Sequence, residues 1–196
     1  MIAFAIISTV ITSAVAYTYL NPRPGENFFA MWILGSGGMA EHYYPNDDPN
    51  LAVGQDVKWT IGVYNHMNSL QYVILRVKLL NATIASPNDT AGTPSPVAPL
   101  LEFRRVLVDN ETWSFPFVWD IENFTLQTGN VVITELAFNQ TLVRGELARA
   151  VHGYNFRFVF ELWSYDSTAQ SLVFSWQSEA IVRSVWTQIW FNATIT

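Results

Sequence analysis

The sequence predicts a mainly β fold: an immunoglobulin-like antiparallel β-sandwich preceded by one N-terminal transmembrane helix. Three observations lead there. Ile2 to Leu20 is a run of 19 residues with no ionisable group other than Tyr17 and Tyr19. Beyond it, short stretches alternate apolar and polar side chains, the period of two that marks a half-buried strand, with turn residues between them. No long stretch keeps a helical period, so the pattern is that of a sandwich, with a barrel as the alternative closed form.

Residues 1–20 match the roughly 20 apolar residues a helix needs to cross a bilayer core, and the two tyrosines sit where an aromatic belt belongs. Ala14, Val15 and Ala16 also form an A-x-A cleavage pattern. No Lys or Arg precedes the run, so it is read as a retained anchor. Residues 21–27, NPRPGEN, form a linker that two prolines and a glycine keep out of helix. The remainder, 28–196, is one domain.

Phe28 to Leu34 reads as a first strand, closed by a turn at Gly35, Ser36, Gly37 and Gly38 that lacks the helix and lysine of a phosphate cradle. Val57, Trp59, Ile61 and Val63 mark a second strand. Val73, Leu75, Val77 and Leu79 mark a third, expected to form a hairpin with it through the turn at Asn65 to Ser69. Asn81 to Pro99, rich in Pro, Ser, Thr and Ala, reads as a long, flexible surface loop. Strands follow at Leu100 to Val108 and Thr112 to Asp120, where Pro116 predicts an edge or a bulge. Val131 to Phe138 reads as a strand and Leu142 to Val151 as one or two helical turns. The alternation then returns at Phe156 to Leu162, Leu172 to Trp176 and Val185 to Phe191.

Composition narrows the function classes. Charged residues are 13% against 15% aromatic and 50% hydrophobic, a surface poor enough in charge to suggest cover by glycans, lipid or other subunits. Net charge is −6 and the basic residues are scattered, which argues against nucleic acid as a partner. Zero cysteines remove disulfides, thiolate metal sites and a cysteine nucleophile.

The most specific signal is a set of six N-x-T sequons at Asn81, Asn88, Asn110, Asn123, Asn139 and Asn192, where 14 Asn in this composition yield about two by chance. They predict an exported, glycosylated domain. His42, His66 and His152 lie far apart in predicted loops without ligand spacing and read as surface residues. Asn46 to Asn50 is oxygen-rich but lacks the glycine and glutamate of a calcium loop. No G-x-S-x-G, H-E-x-x-H or phosphate-loop motif occurs, so no enzyme, cofactor or metal site is expected.

Several stretches, PRPGENFFAMWILGSGGMAEHYYP, VKWTIGVYNH, DNETWSFPF, FRFVFELW and RSVWTQIWFNATI, together resemble the C-terminal ectodomain of an archaeal membrane protein family of unknown function (domain-of-unknown-function family 1616). The shared motifs fall at Leu34 to Pro45, Gly62 to His66 and Asn110 to Trp113. The resemblance implies an archaeal source, a β-rich domain outside the cell membrane, and no assigned activity. Against that family this chain has only the last membrane helix, and extra residues at 81–99 and 122–153.

The reading that follows is a single-pass protein whose extracytoplasmic sandwich is a non-catalytic accessory or structural subunit of an archaeal membrane complex, a copper monooxygenase of the ammonia type being an example of such a host. Its partners would be other membrane subunits and the lipid bilayer around residues 1–20. The alternative is a free-standing cell-surface binding module, an adhesin or ligand sensor. If Phe156, Phe158, Phe160 and Leu162 face the core, Trp163 faces out; if Val185, Thr187, Ile189 and Phe191 face in, so do Trp186 and Trp190 face out. The three indoles are expected to share one surface, which either docks another subunit or lies under the chain's own Glu122 to Gly153.

Overall fold

The computed structural model describes residues 26–178 and 181–194. The expected membrane segment, 1–20, and residues 21–25 of the linker lie outside the described residues. Twelve strands follow in chain order: β1 Phe28–Leu34, β2 Asn50–Leu51, β3 Val57–His66, β4 Gln71–Asn81, β5 Leu101–Leu107, β6 Thr112–Gln127, β7 Asn130–Phe138, β8 Thr141–Val151, β9 Phe156–Asp166, β10 Ser171–Val173, β11 Ser175–Ser178 and β12 Ile181–Ala193. The only helical segment among the described residues is one 3-10 turn at Pro45–Asp47.

One sheet has the order β1-β3-β6-β7-β8 and the other β11-β12-β9-β4-β5, with β10 beside β9 and a short parallel pairing of β2 with β12. All other strand pairings are antiparallel. The first, second and fifth long strands share one sheet while the third and the last two share the other, which is the immunoglobulin-like arrangement. Between the sheets lies an aromatic core. Phe158 of β9, fully buried, has its ring 4.7 Å from Trp119, 5.3 Å from Phe191, 5.8 Å from Phe138 and 6.0 Å from Trp59. Tilted and edge-on packing of such rings adds to the burial of their area.

The expected hairpin between β3 and β4 does not form. β3 pairs β1 and β6, β4 pairs β5 and β9, and the turn between them carries the chain from one sheet to the other. Asn65, fully buried, makes that crossing. Its Nδ2 donates to the carbonyls of Ser69, Leu107 and Val108, and its Oδ1 accepts the Met67 N–H. Its backbone exchanges hydrogen bonds with Asn110 and Glu111 in the β5–β6 turn. The two turns singled out by the family resemblance are thus one joined corner.

Close approach requires glycine at positions 62 and 35. A Cβ on Gly62 would lie 2.0 Å from the Trp32 ring, and one on Gly35 would lie 2.0 Å from the Glu41 carbonyl oxygen. Pro116 lies inside the long strand β6, yet at an edge in effect. Val118 N–H turns to the Asn139 side chain beyond the end of β7, so the proline stands where its strand has β3 on one side alone.

Leu142 to Val151, expected as helical turns, is strand β8. Between the pairs Glu135–Arg144 and Ile133–Ala148 it carries two more residues than β7, a bulge at Gly145 with φ 137°. The bulge breaks the period of two and leaves Leu147 and Val151 at a helix-like spacing. Residues 122–153 as a whole extend the first sheet, with Val131, Ile133, Leu136 and Phe138 in the core.

Removing the Phe158 ring takes a partner from six other aromatic residues. Phe158→Ala is expected to lower the unfolding free energy by about 4 kcal/mol in denaturant titration. A loss under about 1 kcal/mol would show that the two sheets close over the gap.

Candidate functional site

The strand registers decide where the expected docking residues stand. Trp186 lies opposite Glu161, Trp190 opposite Arg157, and Trp163 opposite Ile74, so all three indoles project from the outer face of the second sheet. That face is covered, but by a different part of the chain from the one expected. Residues 82–100, between β4 and β5, run across it as a strap, while 122–153 stay in the other sheet. The loop expected to be flexible is therefore tied down along its length.

Six hydrogen bonds, made at Ile84, Ser86, Asp89 and Ser95, hold it. Arg157 donates to Ser86 Oγ at 2.7 Å and to the Ile84 carbonyl, and stacks on Trp190 at 4.7 Å. Asp89 accepts from Ser184 Oγ at 2.8 Å and from Trp186 Nε1. Ser95 donates its N–H to Glu161 Oε1 and accepts from Lys78 Nζ at its carbonyl, both at 2.8 Å. Beneath the strap, Lys78 and Glu161 pair at 2.8 Å with side chains 4% and 0% exposed. Trp163 Nε1 donates to Glu161 at 3.1 Å, and Arg76 lies 4.0 Å over the Trp163 ring. Trp190, 38% exposed, is the one of the three indoles with a large open area. Sequence reading missed Lys78, Arg157 and Glu161. The signal was there: each is a charge set into a run of large apolar residues, at positions that alternate away from the core.

The sequons divide by how their side chains are used. Asn88 and Asn123 are exposed, Asn88 in the strap and Asn123 at a bulge within β6. Asn110 Oδ1 accepts from Tyr64 and His66 and its Nδ2 donates to Asp109 at 2.7 Å. Asn139 Oδ1 accepts the Val118 N–H at 2.9 Å. Asn81 Nδ2 donates to the Arg149 carbonyl at 2.7 Å, and Asn192 Nδ2 to Asn50 at 2.8 Å.

The three histidines stand apart. His66 serves the Asn110 corner, and His42 holds both carboxylate oxygens of Asp47 at 2.8 and 2.9 Å, an arrangement that raises the imidazole pKa through the hydrogen bond and the negative charge. Asp48 closes its own turn on Asn50. Among the described residues no group of three His, Cys, Asp or Glu side chains converges. A concavity of about 890 Å³ lies over the first sheet and is lined by Asp56, Pro116, Asp120, Glu122, Asn139 and Leu142. Burial raises the Asp120 carboxyl above its ordinary range, with the charges of Glu122 and Asp56 adding to it.

Lys78→Met or Glu161→Leu alone should each cost about 3–5 kcal/mol, because either leaves a buried charge without its partner. The double variant should fall well short of their sum yet not return to wild type, since Ser95 loses partners for both its N–H and its C=O. A denaturant-unfolding cycle measures this, and simple additivity would mean that the pair is not coupled. For Asp120 the raised pKa means that its ionised form opposes folding, so this part of the stability is present at low pH and lost as pH rises through the folded value. Asp120→Asn should therefore raise the melting temperature at pH 7 and leave it unchanged near about pH 3, where the wild-type carboxyl is protonated in both states.

No protein-family model matches the sequence, and no curated protein matches it. Among solved structures the chain is similar to the CARDB domain of a Pyrococcus furiosus protein in complex with di-metal ions, at 10% identity over 87% of this chain and 90% of that one, TM-score 0.37. It is similar to Listeria innocua β-glucosidase in complex with glucose, at 10% identity over 87% of this chain and 17% of the enzyme, TM-score 0.38. It is similar also to the C-terminal domain of wzt, at 8% identity over 90% and 84%, TM-score 0.35. At these scores the likeness carries no argument about activity, and the immunoglobulin-like assignment rests on the strand order.

Proposed function

We propose that this chain is a membrane-anchored, glycosylated, extracytoplasmic β-sandwich that serves as a non-catalytic accessory subunit of an archaeal membrane complex. The observation that carries this reading is the way the sandwich is entered. Glu26 and Asn27 lead directly into β1 at one end of the fold, so the apolar run 2–20 and the sandwich are joined by seven residues alone. A helix of that length with Ser8, Thr9, Thr12 and Ser13 among small alanines suits close packing against other helices. The resemblance to the archaeal ectodomain family supports the same placement, and the excess of sequons supports export. The outer face of the second sheet then contributes mainly Trp190 to a docking surface, because Trp163 and Trp186 are engaged by Arg76 and Asp89.

The second reading, a cell-surface binding module, is favoured by the cleft over the first sheet, where carboxylate, amide and apolar groups converge. Extraction of native membranes in mild detergent, followed by native electrophoresis and mass spectrometry, separates the two. The subunit reading expects other membrane proteins in fixed ratio with this chain, and its isolation alone would overturn that reading. Glycopeptide analysis of the same material is expected to find occupancy highest at Asn88 and Asn123, whose exposed Nδ2 groups have no hydrogen-bond partner among the described residues, and lowest at Asn192, whose Nδ2 is held by Asn50. Unmodified asparagine at every sequon would remove the exported orientation.

A further inference from the structure

The registers gather five separate segments at the end of the sandwich where the chain enters. Phe28 pairs with His66, Thr112 with Tyr64, Gln71 with Leu107, and Val73 with Ser164. The start of β1, the β3–β4 crossing, the β5–β6 turn and the end of β9 therefore lie together. The opening of β12 joins them, since Val185 pairs with Leu162 and Ile181 lies four residues farther toward the same end. Each segment presents an apolar side chain to the outside: Phe28 at 39% exposure, Leu70 at 63%, Val108 at 55%, Tyr165 at 46% and Ile181 at 55%. Loop tips ordinarily carry polar residues, and apolar side chains exposed together mark a contact surface.

Among the described residues, the carboxylates of this end are held by the protein's own donors. Glu26 pairs with Arg183, and Glu111 takes Arg105 and the Val108 N–H. Asp109 accepts from Asn68 N–H and Asn110, and Asp166 from the N–H groups of Thr168 and Ala169.

We propose that this end of the sandwich rests on the lipid interface, inserting Phe28, Leu70, Val108, Tyr165 and Ile181 among the headgroups. The proposal rests on the reading of residues 2–20 as a membrane anchor. The chain between them limits the distance: from Leu20 to Phe28 it spans at most about 28 Å, so a spanning helix keeps this end of the sandwich, and not the opposite one, near the bilayer. Aromatic and aliphatic side chains entering the interface together gain by leaving water, and Tyr165 and Phe28 are of the type that interfaces favour.

The sequence holds no cysteine, so single cysteines can be placed and labelled without removing any native one. The full chain, reconstituted alone in phosphatidylcholine vesicles, would carry an environment-sensitive fluorophore at Leu70→Cys, Val108→Cys or Ile181→Cys. Val53→Cys and Leu126→Cys, exposed elsewhere on the sandwich, serve as references, and Ile7→Cys reports the anchor. The expected result is a shift to shorter wavelength and a loss of emission with brominated lipid at the three entry-end labels and at Ile7, with neither change at the references. Quenching at Ile7 with water-like emission at the entry end would overturn the proposal and leave the anchor standing. Water-like emission at Ile7 would overturn both. Entry-end labels shielded in native membranes but not in lipid vesicles would assign this surface to a protein partner and overturn the lipid reading.

Discussion

One buried amide sets the relation between the two sheets. Asn65 lies where the chain leaves the first sheet, and its side chain closes onto the carbonyls that end β5 in the second. A buried amide with partners for its hydrogens and its oxygen costs little to desolvate, whereas an unpaired one costs about 1–3 kcal/mol. That difference makes the crossing specific. With Asn65 seated, β3 and β5 are tied end to end, and the aromatic faces behind them meet in one stagger. The inward rings of β6 then fall against those of β9 and β12.

The second sheet is also covered on its outer side by its own strap. Lys78, Glu161, Arg157 and Asp89 engage backbone and side-chain groups of 82–100 or the strands beneath, so the strap is fixed in direction as well as in place. An apolar covering would hold as firmly with less registry, whereas ion pairs and hydrogen bonds accept one alignment. The chain has thereby used most of the surface that its outward tryptophans would otherwise leave open.

Most strands were legible because a half-buried strand writes its period of two directly into the sequence, as in Val57 to Val63 and Phe156 to Leu162. What was not legible is how strands are joined. The alternation of β3 and β4 is the same whether they pair or part, and the deciding contact, Asn65 with Leu107 and Val108, spans more than forty residues. β8 was obscured by its bulge at Gly145, which shifts side chains from one face to the other. The strap was obscured by composition, since Ile84 and Ser95 are held there through backbone groups that sequence pattern does not display. The outward placement of Trp163, Trp186 and Trp190 followed from alternation alone; their covering depended on a segment that alternation cannot describe.

The direction of β1 has a mechanical consequence. β1 begins at the entry end, runs the length of its pairing with β3 from Phe28 opposite His66 to Leu34 opposite Thr60, and is an edge strand of its sheet. The last described residue, Thr194, lies at the opposite end, where its N–H donates to Leu51. Tension applied between a tether at Glu26 and the far end of the domain acts along β1, so its ladder bonds to β3 are loaded side by side in shear and not opened one after another. Such a geometry resists pulling more strongly than an unzipping one with the same bonds. The first strand is thus placed to bear load between whatever holds the domain at its entry end and whatever engages the other.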